Sequence, residues 1–209
     1  MPGTMSQDDL VADLKRSLHD SAGVFDAADD ADFVRFLKQA LSDMAWKRPI
    51  TRVGQITLVA GTSAYALTAY PDFSGYKTHL WDKGGAFPRP WEPGYPGAVP
   101  RVTNFRDSTG WFLNFDPAPS ALHIAARGSA FKFYYFGQHS IAADAESTTV
   151  ALQDRGLLLL RAQVEATMEL TLRNLSKPVQ LRDGLSGTPR NSTPRALYEA
   201  MLTHFMEAR

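Results

Sequence analysis

The spacing of apolar residues changes twice along the chain, and this change constrains its fold more than any other feature. Up to about residue 48, apolar residues recur at helical intervals, as in Phe33, Phe36 and Leu37 followed by Ala40 and Leu41. From about 51 to 140 they alternate with polar residues, and from about 148 the helical interval returns. An interval near 3.6 residues predicts amphipathic helices, whereas alternation predicts strands. We therefore predict an α+β fold in which an antiparallel β-domain interrupts a helical bundle.

The same changes suggest where the segments begin and end. Residues 1–50 and 148–176 are expected to form the bundle, with two N-terminal helices and one long helix. Residues 51–140 are expected to form the β-rich insertion. Residues 177–209 are expected to form an extended arm that ends in a short helix, because Gly184, Gly187 and Pro189 oppose regular structure between the two last helices.

Capping residues mark where the helices should begin. Ser6 can cap the first helix and the acidic run Asp26–Asp32 the second, since short polar side chains accept hydrogen bonds from free backbone N–H groups. Thr148 or Thr149 is expected to begin the long helix, Val150–Leu175. Thr193 should cap the last helix, which runs from about Pro194 to Glu207.

The middle segment is expected to contain six or seven strands. Val53–Val59 and Tyr65–Thr68 flank a Gly-Thr-Ser turn, which predicts a hairpin. The stretch Asp82–Pro100 carries five prolines and is expected to be an exposed contact loop. The other strand candidates are Tyr76–Trp81, Val102–Phe105, Gly110–Phe115, Ala121–Ala125 and Ala130–Phe136.

Composition limits the function classes. The sequence has 22 basic and 22 acidic residues, a balance that argues against binding nucleic acid along most of the surface. It has no cysteine, so thiolate metal sites and cysteine nucleophiles are excluded. The N-terminal residues do not look like a signal peptide, and the longest apolar run is far too short for a membrane span. No histidine spacing or glycine-rich loop indicates a metal, a cofactor or an enzyme.

The aromatic residues of the middle segment allow two interpretations. Phe131, Phe133 and Tyr135 alternate, as the core-facing side of a sheet requires. Aromatic faces can also bind carbohydrate, so a receptor-binding or carbohydrate-binding module is the alternative function. In the proline-rich loop, Phe87, Trp91 and Tyr95 are expected to form an interface contact, with simple loop packing as the alternative.

The last helix has an apolar stripe that must be buried somewhere. Its members are Leu197, Tyr198, Met201, Leu202 and Phe205. The helix either folds back onto its own bundle or docks on a partner as a helix in a groove, and the sequence leaves both alternatives open.

Three segments resemble tailed-phage head-to-tail adaptor proteins, also called head–tail connectors. They are DFVRFLKQAL at 32–41, MAWKRP at 44–49 and TLVAGTSAYAL at 57–67. The proline that usually follows the third motif is replaced by Thr68, but Pro71-Asp72-Phe73 comes shortly after. The motifs cover about the first 75 residues, and the rest is similar in layout only.

The resemblance implies a structural virion protein that is made in the host cytoplasm and placed in the neck, between capsid and tail. It implies a closed homo-oligomeric ring, typically a dodecamer, that binds the portal protein and tail or neck proteins. Genomic DNA would pass through the channel without sequence-specific binding. The residues expected to dock on the portal are Arg182, Leu185, Arg195, Leu197, Tyr198, Met201, Leu202 and Phe205.

Overall fold

A computed structural model describes residues 5–25, 30–81, 88–173 and 194–208. These residues contain five α-helices and two three-stranded antiparallel sheets, which confirms the α+β class. The chain divides into two compact units. One is formed by residues 1–48 and 139–209, and the other by residues 49–138. The last helix, expected in a separate arm, thus belongs to the same unit as the bundle.

The helical unit contains α1 (Gln7–Leu18), α2 (Ala31–Lys47), α4 (Arg155–Arg173) and α5 (Pro194–Glu207). Its core is built around the three rings of Phe25, Phe33 and Phe36, which meet edge to face with centroids 5.1 to 6.4 Å apart. Apolar residues at helical intervals on α1, α2 and α4 complete this core. The other fully enclosed members are Leu10, Leu14, Ala40, Met44, Leu158, Ala162 and Ala166.

Helix capping agrees with the sequence at one helix and differs at two others. The Ser6 hydroxyl accepts a hydrogen bond from the Asp9 backbone N–H at 3.2 Å, as predicted. Asp30 does not cap α2 through its side chain and instead pairs with Lys15 at 2.5 Å, while 26–29 lie outside the described residues. The prediction that Thr148 or Thr149 begins the long helix is wrong, because the helix begins at Arg155. The hydroxyls of both threonines instead accept from backbone N–H groups of the preceding loop, Thr148 from Ala142 and Thr149 from Ser140.

A 3-10 turn over Leu152–Asp154 comes directly before α4. The end predicted for this helix, residue 175, lies outside the described residues, as do the predicted cap Thr193 and the arm Val179–Thr193.

The β-unit contains six strands and one short helix. The first sheet has the order β1-β6-β3 and the second β2-β5-β4. One core is shared by both sheets, and the rings of Phe115 and Phe131 meet there at 4.9 Å. The elements are β1 (Ile50–Thr57), β2 (Ala64–Ala66), β3 (Phe73–Leu80), β4 (Arg101–Arg106), β5 (Trp111–Asp116), α3 (Ala121–Arg127) and β6 (Ala130–Gly137).

Two predictions for this unit are wrong. β1 pairs with β6, and β2 pairs with β5, so Val53–Val59 and Tyr65–Thr68 do not form a hairpin with each other. The predicted strand Ala121–Ala125 is helical, because the Ser120 hydroxyl accepts from the His123 backbone N–H and the His123 ring contacts the Ser120 N–H in return. This reciprocal cap satisfies N–H groups that a strand would need to pair elsewhere.

Side chains cover parts of the sheet edges. The Tyr70 hydroxyl accepts from the Gln55 N–H and donates to the Gln55 carbonyl, each at 2.7 Å. On the other edge of the same sheet, the Asn104 carboxamide oxygen accepts from the Tyr76 N–H at 3.2 Å. An occupied edge is less able to pair with a strand from another chain. Contacts with partners are therefore expected through faces and loops of this unit.

Candidate interaction surfaces

The last helix is held against its own bundle through Phe205. The Phe205 ring is 3% exposed. It lies between the Lys47 ammonium, 5.1 Å from its centroid, and the Arg161 guanidinium, 5.8 Å away. Lys47 Nζ also donates to the backbone carbonyls of Met206 at 2.7 Å and Ala208 at 2.9 Å. The last carbonyls of a helix lack partners within it, so these bonds stabilise the end of α5.

Arg161 is a buried cation that supports this contact. It is 8% exposed and its Nη2 pairs with Asp43 at 2.6 Å and with Glu165 at 2.5 Å. The two carboxylates compensate its charge and fix the guanidinium beside Phe205. A buried cation needs such partners, since an unpaired charge is costly away from water.

For the described residues, the structure therefore shows the fold-back alternative. In the described chain the Phe205 ring is buried between two cations of the same unit, so it could dock on a partner only if α5 left the bundle. Leu197 is 53% exposed and Arg195 is also exposed, so both remain accessible. Tyr198, Met201 and Leu202 are half-buried, and Arg182 and Leu185 lie outside the described residues.

An open groove of about 260 Å³ runs between α4 and the first half of α5. Met168 and Leu172 expose apolar side chains in it, and Arg195 and Glu199 form an ion pair at its rim, with 3.0 Å between Nε and Oε1. Thr171 and Tyr198 complete the lining. The groove brings together predicted residues of the last helix with α4 residues that the sequence analysis did not single out.

The proline-rich loop presents an ordered tryptophan. The Glu92 N–H donates to the Arg89 carbonyl, and the Arg89 N–H donates to the Glu92 carboxylate, each at 2.8 Å. This closed turn holds the Arg89 guanidinium 5.6 Å from the ring of Trp91, which is 75% exposed. Tyr95 follows in the next turn and is also exposed, whereas Phe87 lies outside the described residues.

Most other aromatic side chains of the β-unit are structural. Phe131, Phe133 and Tyr135 are buried in the shared core, which confirms the core interpretation of their alternation. Burial lowers the pKa of His79, and the Arg127 charge lowers it further. Burial also raises the pKa of Tyr76, the hydrogen-bond partner of His79, to about 12. Both groups are therefore neutral near pH 7 and pack as uncharged rings.

The sequence analysis did not single out the side chains on the solvent side of the β1-β6-β3 sheet, of which Lys132 is exposed and Tyr134 and Phe136 are half-buried. Lys132, Tyr134 and Phe136 alternate with the buried residues of β6 and so face away from the core. The alternation itself was visible, but it was used only to find the core. Trp46 was missed too, since its place in a helical motif gave no sign that it is almost fully exposed.

The exposed surfaces of the described residues have features typical of contacts with other proteins. Within the described ranges, no group of three or more histidine and carboxylate side chains is arranged to hold a metal ion. Nor is any helix of the described chain long and apolar enough to cross a membrane. Exposed tryptophan beside arginine, an apolar groove and an aromatic sheet face are features of surfaces that bind other proteins.

Comparison with known families identifies the class. The chain matches the SU10 adaptor protein family over residues 5–168 and belongs to this family of phage adaptor proteins. No curated protein matches the chain. The chain is therefore a structural virion protein of the head–tail connection, where it contacts other phage proteins. Proteins of this class are not normally enzymes.

Proposed function

We propose that the chain is one subunit of a closed dodecameric ring that joins the capsid portal to the tail and surrounds part of the DNA channel. The observation that carries this proposal is the family match, which extends through both structural units over 5–168. A ring requires heterologous contacts, in which one surface of a subunit binds a different surface of the next. The chain has several separate exposed surfaces that can serve this purpose.

The charge of the chain fits a conduit for DNA. Basic and acidic residues balance at 22 each. Tight binding to DNA depends on many lysine and arginine contacts with phosphates, and these contacts would slow a sliding molecule. A neutral subunit therefore supports passage of genomic DNA without sequence-specific binding.

Docking on the portal is proposed for the accessible part of the last helix and the segment before it. Arg195 and Leu197 are exposed, and the groove beside Tyr198 offers apolar surface. Arg182 and Leu185 remain part of this proposal by their place in the sequence. Met201, Leu202 and Phe205 contribute only if α5 leaves α4, since in the described chain they contact their own bundle.

A tail or inter-subunit contact is proposed for the proline-rich loop. Trp91 is presented on a turn that is already closed by hydrogen bonds, so little side-chain or backbone freedom is lost on binding. Tyr95 and Phe87 would extend this contact.

The exposed Trp91 with Arg89 also fits the alternative of a carbohydrate-binding tail module. Glycan-array binding by the full chain that is lost on Trp91→Ala would favour that alternative. Retained portal binding with no glycan signal favours the adaptor.

Native mass spectrometry of the full chain mixed with the portal protein of the same phage tests the proposal. We expect a complex with one closed ring of this chain per portal. Arg195→Glu combined with Leu197→Asp should weaken the complex, whereas Lys38→Glu, an exposed change on α2, should not. A chain that stays monomeric and does not bind the portal would overturn the proposal.

A further inference from the structure

One surface of the β-unit is both basic and apolar, and we call it the basic sheet face. It lies on the solvent side of the β1-β6-β3 sheet. At its centre is β6. Tyr134 of β6 lies opposite Val53 of β1, and Lys132 of β6 lies opposite Leu80 of β3. Its members are Val53, Lys77, Leu80, Lys132, Tyr134 and Phe136.

The apolar residues on the two edge strands of this face are open to solvent, and Lys77 contacts Phe136 of the central strand. Val53 is 61% exposed and Leu80 is 58% exposed. Lys77 Nζ lies 5.4 Å from the Phe136 ring centroid and donates to the Thr51 hydroxyl at 3.0 Å. Exposed apolar side chains on the same sheet face as two lysines are features of a surface that binds another protein.

The charge of this face is of one sign. The solvent-side positions of β1, β3 and β6 include no aspartate or glutamate. Among the described residues, no carboxylate pairs with Lys77 or Lys132. A matching partner must therefore bring acidic groups together with apolar surface.

The helical unit carries such a surface, which we call the acidic end. It consists of Asp8 and Asp9 at the start of α1 and of Asp144 and Glu146 in the loop before α4. The Gln7 N–H donates to the Ala142 carbonyl at 2.9 Å, which joins the two segments.

The acidic end is ionised, and an exposed apolar residue follows it in the chain. Hydrogen bonds from Ser147, through its hydroxyl and its backbone N–H, lower the pKa of Asp144 and keep it charged. Leu152, which follows the loop, is exposed and supplies apolar surface.

We propose that the basic sheet face of one copy binds the acidic end of a second copy. This inference rests on the proposed ring, for which it names one pair of subunit surfaces. The two surfaces differ, as is required of a contact that repeats from subunit to subunit around a ring. Opposite charges around apolar contacts also select the register and orientation of a protein interface.

A second copy fits this face better than DNA does. Two lysines are few for a DNA site, whose affinity grows with the number of neutralised phosphates. Val53 and Leu80 would gain little from a phosphate backbone, whereas burial against Leu152 and the neighbouring loop removes apolar surface from water.

Charge reversal in the full chain tests the contact, with assembly on the portal measured by native mass spectrometry at low salt. One variant combines Lys77→Glu with Lys132→Glu, a second combines Asp144→Lys with Glu146→Lys, and a third carries all four changes. Lys38→Glu is the control, and thermal melting shows whether each variant folds.

Each two-residue reversal is expected to raise the protein concentration for half-assembly by about tenfold or more, and the four-residue variant should restore assembly. If the two-residue variants assemble like the control, or if the four-residue variant does not restore assembly, the proposed contact is wrong. The proposed ring would not be affected by either result. If the unchanged chain never assembles, both proposals fail. A gel-shift assay in which the parent chain binds a DNA duplex and the Lys77→Glu, Lys132→Glu variant does not, with unchanged assembly, would assign the face to DNA and overturn the contact.

Discussion

The ammonium nitrogen of Lys47 lies 5.1 Å from the ring centroid of Phe205. The same nitrogen donates to the Met206 carbonyl, so one lysine of α2 holds both a ring and the end of α5. Lys47 and Met206 are 159 residues apart in the sequence, so this contact joins two distant segments of the helical unit.

Phe205→Ala should open the last helix. In a fully packed core, removing a buried phenylalanine ring lowers the free energy of unfolding by about 3–5 kcal/mol. If α5 opens on its own, only this helix should be destabilised. We expect amide-exchange protection in 194–208 to fall about a hundredfold while α2 and the core part of α4 stay protected. Leu197→Ala, at an exposed position of the same helix, is the control. Unchanged protection in Phe205→Ala would show that the ring does not hold the helix.

Gly54→Ala should destabilise the β-unit. A Cβ at this position would lie 2.5 Å from Cζ of Phe133, whose ring is fully buried. Overpacking of this kind costs about 1–3 kcal/mol, to be measured as a lower urea midpoint. Gly75→Ala in the same sheet is the matched control, since its Cβ would meet Phe136 Cδ2 at an ordinary 3.9 Å. Equal midpoints for the two variants would contradict the close approach.

Tyr70→Phe should weaken the sheet edge without a change in the core. The variant keeps the ring against Phe133 and Tyr135 but loses the two hydrogen bonds to Gln55. The loss should be about 1–2 kcal/mol in the free energy of unfolding. Because the edge of β1 is then open, aggregation at high concentration should also increase, as light scattering would show. A variant as stable and as soluble as the parent would mean that this hydroxyl does not protect the edge.

Asp32 should contribute a pH-dependent part of the stability. Hydrogen bonding to Arg35, and then to Arg173, lowers the pKa of the Asp32 carboxyl below its usual value. A depressed folded-state pKa means that the stabilisation is present above the unfolded pKa of about 3.9 and is lost as the pH falls through the folded value.

Asp32→Asn should therefore cost about 1 kcal/mol or less near pH 7, because Arg35 is partly exposed, and the cost should shrink as the pH falls below about 3.9. Urea unfolding of parent and variant at several pH values measures the difference. A difference that stays constant over this range would exclude the carboxylate as its origin.

Local patterns in the sequence were sufficient to predict most helices and to identify core residues of the β-unit. The apolar intervals predicted α1, α2 and α5, and the alternation in β6 identified Phe131, Phe133 and Tyr135 as core. The α3 helix was missed because it has only seven residues, and Leu122 and Ile124 alternate with His123 as in a strand. The cap that favours the helix uses His123 at the third helical position, where the usual capping-box residue is glutamate or glutamine.

Long-range relationships were not readable from one sequence. β1 and β2 are close in the chain and separated by a turn, which favours a hairpin, but β1 pairs with a strand that begins at residue 130. Likewise, the apolar stripe of the last helix had to be buried, but the sequence did not show whether its own bundle or a partner covers it. Lys47 and Arg161 gave no local sign that they enclose Phe205, since their contact exists only after the three helices pack.

Imaging the neck of the intact phage particle by electron cryomicroscopy tests the account most directly. We predict a closed ring of twelve copies between portal and tail, with DNA or an open channel on its axis. A particle in which this chain is absent from the neck, or is present there as isolated copies or at the tail tip, would contradict the account.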